Sequence, residues 1–341
     1  MSKIAVVLFN LGGPDSREAV APFLLNLFSD RAIVSLPNPL RWLVARLIAR
    51  RRAPVARAIY DRIGGASPIL RLTRAQASAL QAELNKSGAY RVFVAMRYWH
   101  PRAEAVMAEV KAWRPDRVVL LPLYPQYSTA TSGSSLAEWR KLAKLAGLTA
   151  PCAAICCYPS APGWIAALAG LLAKSLAESE AHGRPRILFS AHGLPKKVIA
   201  RGDPYQWQVE RTAASVVAAL ARTELDWIVC YQSRVGPLEW IGPSTEAEID
   251  RAGRSATPLV VVPIAFVSEH SETLVELDIE YAHRAKRAGV PHYARVPAVA
   301  TDPSFIAALA ALVLGAGRTP IQSESGGRLC PGNWAACGQS G

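Results

Sequence analysis

Six short runs rich in valine and isoleucine, at residues 4–10, 91–97, 117–121, 187–191, 227–232 and 259–264, alternate along the chain with longer amphipathic stretches. Runs that are apolar at successive positions suit strands covered on both faces, and that burial is the mark of a parallel sheet. Strand, helix, strand in repeated order therefore predicts an α/β fold with helices packed on its sheets. A length of 341 residues favours two such domains.

The order of features is approximately duplicated. Residues 4–14 read strand, glycine, proline, helix, and residues 187–195 read the same. The run at 118–122 leads into Tyr124, Gln126 and Tyr127, and that at 260–263 leads into Phe266, Ser268, Glu269 and His270. The expectation is two Rossmann-like halves with parallel sheets, residues 1–160 and 161–317, with a cleft between them where loops leave the carboxyl ends of the strands. Residues 318–341, rich in glycine and serine, are expected as a loose C-terminal extension.

A composition of 51% hydrophobic and 19% charged residues excludes a wholly disordered chain. The formal charge of +13 favours an anionic ligand or an acidic membrane surface, and no recognition module supports nucleic acid as a partner. Six cysteines in this length make no disulfide framework, and the opening residues run straight into an apolar strand, so a reduced, cytoplasmic protein is expected. Residues 145–173 carry no charge and exceed the roughly 20 residues of a membrane span. Pro151, Pro159 and Pro162 break that run, which reads instead as a strand at 152–157, a turn and a helix from Pro162. Residues 35–52, SLPNPLRWLVARLIARRR, set Trp42, Leu43, Val44, Leu47 and Ile48 beside five arginines. The segment suits either an interfacial helix or a core-facing helix with a solvated basic face.

No glycine-rich dinucleotide or phosphate loop, nucleophile elbow or HExxH helix is present. His192 ends a buried run and is followed by Gly193, Leu194 and Pro195, a turn that aims the imidazole into a cleft or, more simply, caps a strand. Glu272, Glu276 and Glu280 stand at i, i+4 and i+8, one face of a helix. Solvated, the row is an acidic stripe; turned inward, it has raised carboxylate pKa values and offers a path for protons or a hard cation. His192 with Glu272 and His270 suits a first-row divalent ion held with open positions. Arg62, Tyr98, Tyr127, Trp240 and neighbouring aromatic residues suit a slot for a large flat acidic ligand.

Seven motifs in order then resemble the ferrochelatases, which insert ferrous iron into a porphyrin. They are LFNLGGPDS at 8–16, IGGASPI at 63–69, MRYWHP at 96–101, PLYPQYS at 122–128, SAHGLP at 190–195, QSRVGPLEWIGP at 232–243 and PIAFVSEHSETLVELDIEY at 263–281. The resemblance implies that His192 and Glu272 are catalytic and metal-contacting, facing each other across the macrocycle, with His270, Glu276 and Glu280 on a proton or metal path. It implies porphyrin contacts at Leu11, Arg62, Tyr98, Tyr127, Trp240 and Phe266, a hydrophobic lip at 37–54 that meets the inner face of a membrane, and protoporphyrin and ferrous iron as substrates with no required cofactor. Coproporphyrin insertion and non-catalytic haem carriage are the alternative readings. Some members hold a 2Fe–2S cluster. Here Thr129 stands where its internal cysteine is expected and the tail offers only Cys330 and Cys337, so a cluster is not expected unless Cys152, Cys156 or Cys157 substitutes.

Overall fold

The structure is a computed structural model and describes residues 2–234, 238–317 and 319–339. Among the described residues there are nine strands; the six valine- and isoleucine-rich runs form β1 (Lys3–Asn10), β2 (Ala89–Met96), β3 (Arg117–Pro122), β5 (Arg186–His192), β6 (Asp226–Gln232) and β7 (Leu259–Pro263), and the run expected at 152–157 forms β4 (Cys152–Ile155). The other two, β8 (Tyr293–Arg295) and β9 (Ile321–Gln322), are too short to stand out as apolar runs. All pairs are parallel.

The chain divides into two units, one of Met1–Tyr124, Ser128–Cys157 and Leu309–Arg328, the other of Pro125–Tyr127, Tyr158–Ala308 and Leu329–Gly341. The first holds a sheet ordered β2-β1-β3-β4-β9, and the second a sheet ordered β6-β5-β7-β8. The duplication legible in the sequence is therefore a duplicated topology, since both sheets place the first strand of the unit between the second and third. The first sheet has one strand more because the C-terminal segment supplies β9 beside β4. This corrects the expectation of a loose tail at 318–341. Ile321 and Gln322 pair in the sheet, and Cys330 and Cys337 are buried in the second unit.

In the first unit the helix Leu40–Asp61 is longer than its apolar-basic segment predicted. Ala45, Ala49 and Ala53, four residues apart, are buried, and the last two pack with Val20, Phe23 and Leu24 on the helix Val20–Phe28. Small residues permit that approach, and the large ones turn outward: Leu40, Trp42, Leu43, Leu47 and Val55 are all exposed. The helix thus has a core-facing side made of alanine and an apolar side left uncovered within its unit. No helix among the described residues is long and apolar enough to cross a membrane.

In the second unit Leu188, Cys230, Leu259 and Val261 from the sheet pack with Leu277, Tyr281 and Ala285. The last three follow the i, i+4, i+8 rule along a π-helix, Glu272–Tyr281, that runs on into the α-helix Ala282–Ala288. That α-helix meets the helix Thr245–Arg254 at Gly253, where an added Cβ would stand 2.2 Å from the Ala288 carbonyl oxygen.

Candidate active site

Because β5 lies between β6 and β7, the chain leaves the carboxyl ends of β5 and β7 in opposite directions, which opens a crevice at that point of an α/β sheet. His192 is the last residue of β5, and the segment after β7 carries His270 and Glu272. His192 Nδ1 and Glu272 Oε2 are 2.9 Å apart. His270 Nε2 is 3.9 Å from the same oxygen, and its ring meets Phe266 with centroids 4.6 Å apart. Two groups in direct hydrogen bond leave no room for a ring between them. This corrects the expectation that they face each other across a macrocycle: the two side chains meet directly.

Glu276 extends the arrangement. Its Oε1 accepts from the Ser233 backbone N–H at 2.9 Å and from Tyr281 Oη at 2.9 Å, and its Oε2 accepts from Ser233 Oγ at 2.5 Å and Gln232 Nε2 at 3.1 Å. Ser233 Oγ also reaches Glu272 Oε2 at 3.4 Å, so one hydroxyl bridges the two carboxylates. Behind them Ser190 Oγ donates to Gln232 Oε1 at 2.7 Å, which turns the amide nitrogen of Gln232 toward Glu276 and the Glu272 carbonyl. Ser233 holds φ of 60°, a left-handed conformation uncommon for serine, and it is this turn that aims both of its donors at Glu276.

Burial opposes the charge on His192, but the adjacent Glu272 carboxylate outweighs it and lifts the imidazole above its usual pKa. Burial likewise opposes ionisation of Glu272, yet His192 holds that carboxyl well below the usual range, at about 2. For Glu276 burial and then repulsion from Glu272 act together and raise it. His270 is lowered, chiefly by burial. The site thus joins a hydrogen-bonded imidazole–carboxylate pair to a second carboxyl group whose ionisation is opposed by burial and by Glu272.

Of the acidic row, Glu272 and Glu276 point into this network and Glu280 is exposed. Phe266 and Trp240 are half-buried, and Trp240 packs by Gly193, where an added Cβ would stand 3.3 Å from its ring. Tyr127 is buried, with its backbone N–H donating to Gln208. In the first unit Leu11 is half-buried just after β1 and Arg62 is exposed. Tyr98 needs correction as a porphyrin contact. It is 1% exposed, packed with Val20, Phe23 and Tyr60, and its hydroxyl donates to Asp30. Among the described residues no three histidine, cysteine or acidic side chains gather as a ligand set for a metal ion. Cys330 Sγ accepts from Gln208 Nε2. Within the motif at 232–243, Val235, Gly236 and Pro237 lie outside the described residues.

Ser190, Gln232, Ser233 and Tyr281 are the site residues that sequence reasoning missed. Ser190 and Gln232 flank recognisable positions on β5 and β6, and the pairing of His192 with Gln232 in register brings the strand ends together. Tyr281 closes the same motif as the acidic row, one residue beyond Glu280.

A family model described as Ferrochelatase matches residues 3–316. A curated ferrochelatase of Pelagibacter ubique is 51% identical over 92% of this chain and 91% of its own length, and one of Hyphomonas neptunium is 50% identical over 99% and 95%. Among solved structures, SirB from Bacillus subtilis aligns with a TM-score of 0.53 at 10% identity, over 92% of this chain and 95% of its own, and so shares the fold. Motifs, topology and relatives agree that the chain belongs to the ferrochelatase family, enzymes that insert a metal ion into a porphyrin.

Proposed function

We propose that this chain inserts ferrous iron into protoporphyrin with His192 as the base, and the observation that carries the reading is the 2.9 Å pair of His192 and Glu272 leading into the Ser233–Glu276 network. A free-base porphyrin carries two pyrrole N–H groups, so iron enters as two protons leave. Glu272 accepts the Nδ1–H of His192 and so fixes the tautomer whose Nε2 lone pair is available for a pyrrole proton. The imidazolium that results is already paired with a carboxylate, which lowers the cost of forming it. Ser233 bridges Glu272 to Glu276, and the raised Glu276 is the next proton acceptor on the way to exposed Glu280. His270, whose protonation burial opposes, suits transient contact with the incoming ion together with Glu272.

Phe266 and Trp240 stand on the same unit as apolar contacts for the ring, and the resemblance adds Leu11, Arg62 and Tyr127. Binding energy spread over so large a flat ligand is available to bend it toward the geometry that admits iron. The exposed leucines and arginines of Leu40–Asp61 support peripheral contact with an anionic membrane surface.

Substituting His192 by Ala tests the reading. Iron insertion is expected to be lost while porphyrin still binds, and insertion at the wild-type rate would overturn it. Running protoporphyrin and coproporphyrin side by side identifies the preferred ring, and binding without turnover by the wild type would point to a carrier.

A further inference from the structure

Arg295, on the three-residue strand β8, touches both segments that carry the site. Its Nε and Nη2 fork onto the two carboxylate oxygens of Asp278 at 2.7 and 2.5 Å, and its Nη1 donates to Glu269 Oε1 at 2.6 Å. Glu269 immediately precedes His270, and Asp278 lies two residues beyond Glu276. The same Glu269 oxygen accepts from the Ala298 backbone N–H at 2.9 Å, so the loop ahead of the π-helix is tied to the chain on either side of β8's end. The guanidinium side chain is 11% exposed.

A π-helix closes i→i+5 hydrogen bonds in a wide turn that usually persists for a single turn only. This one runs for ten residues, so its form must be imposed from outside. Besides His192 and Ser233, three side chains reach across to it at different heights. Gln232 Nε2 donates to the Glu272 carbonyl, Tyr293 Oη donates to the Leu277 carbonyl at 2.8 Å, and Arg295 holds Asp278. Two of the three come from β8. The segment also concentrates Glu269, Glu272, Glu276, Asp278 and Glu280 within twelve residues, and Arg295 offsets two of those carboxylates without touching the two that form the network with His192.

We infer that Arg295, seconded by Tyr293, is a positioning residue for metal insertion. It fixes the loop before Glu272 and the helix after Glu276, so that both carboxylates stay within hydrogen-bond reach of His192 and Ser233. The inference rests on the reading of His192 as the base. A planar fork spanning two carboxylates is a task that a lysine's single ammonium does not perform, which separates geometry from charge.

The test is a double-mutant cycle on the full chain, read by single-turnover insertion of ferrous iron and by porphyrin binding followed in the visible. R295Q is expected to slow insertion roughly tenfold or more, since displacement by a fraction of an ångström carries that penalty, while porphyrin affinity stays within about twofold. R295K should recover little, and R295Q combined with Asp278→Asn should be no slower than R295Q alone, because both cut the same tie. H192A is measured alongside. Wild-type insertion by H192A would overturn the base assignment itself. With H192A inactive, insertion by R295Q within about twofold of wild type, or single effects that multiply in the double variant, would overturn the positioning role. If R295Q does not fold, D278N decides the matter: slowed insertion with unchanged porphyrin affinity supports the tie, and wild-type insertion overturns it.

Discussion

His192 Nδ1 lies 2.9 Å from Glu272 Oε2, though the two residues stand 80 positions apart and end different strand–loop segments. The contact follows from β5 and β7 being sheet neighbours, and in the proposed mechanism it is what fixes the tautomer of His192 as the base.

The first consequence is in the pH dependence. Glu272 raises the His192 pKa, so the neutral, proton-accepting form is populated only as pH rises through that elevated value. Glu272→Gln removes the charge that favours the imidazolium. The ascending limb of kcat against pH is expected to move to lower pH, with a lower plateau because the imidazolium loses its partner. The His192 Cε1–H chemical shift, followed through a pH titration, should move in the same direction.

Stability carries the same signature with both signs. The depressed Glu272 contributes stability that is full above its unfolded pKa near 4.5 and is lost as pH falls toward about 2. The raised His192 contributes stability that is full below its unfolded pKa near 6.5 and is lost as pH rises through the folded value. The contribution of the pair therefore peaks between these unfolded values. The difference in urea-derived unfolding free energy between wild type and H192A should be largest there and shrink on either side.

Ser233 supplies the hydroxyl between the carboxylates. In Ser233→Ala the Glu276 Oε2 loses its 2.5 Å donor and keeps only Gln232 Nε2, a loss of about 0.5–1.5 kcal/mol, and the Glu276 pKa rises further. Insertion should slow, and the infrared carboxylic-acid band of Glu276 should persist to higher pH. Ser233→Gly should slow insertion alike, yet be more stable to unfolding than the alanine variant by about 1 kcal/mol, because φ of 60° is free of strain for glycine.

Gly193 has little space for a side chain. A Cβ there would stand 3.1 Å from the Gln232 carbonyl oxygen and 3.3 Å from both Arg234 Cγ and the Trp240 ring. Gly193→Ala is expected to cost about 1–3 kcal/mol as overpacking and to shift tryptophan fluorescence. Porphyrin affinity should fall with it, since Trp240 must move.

The outward face of Leu40–Asp61 predicts binding to anionic vesicles. Glutamate at Leu40, Leu43 and Leu47 together should abolish co-sedimentation with them. Because those side chains are about half exposed, the melting transition should move little, in keeping with the roughly 0.5 kcal/mol or less of an ordinary surface change.

Strands that are apolar on both faces announce themselves, so β1 to β7 and the duplicated order were legible from residues alone. β8 was not, because Tyr293–Arg295 is short and polar and is a strand only through pairing with β7. Nor was β9, which borrows its partner from residues far earlier in the chain. His192, His270 and Glu272 were legible as chemistry, since imidazoles and acids at strand ends are few. Their mutual geometry was not: an i, i+4 row fixes a helical face but leaves open which side of a ligand it meets. Tyr98 misled because its motif gives residue identity and says nothing of burial, and the hydroxyl is spent on Asp30. Ser233 and Gln232 are polar residues of ordinary type whose role exists only once β6 lies beside β5.

The most direct measurement is single-turnover, anaerobic insertion of ferrous iron into protoporphyrin by His192→Ala, with and without added imidazole. The account predicts that this variant binds the porphyrin, forms almost no haem, and regains part of the rate as imidazole is supplied. Haem formation at the wild-type rate in its absence would contradict the assignment of the base.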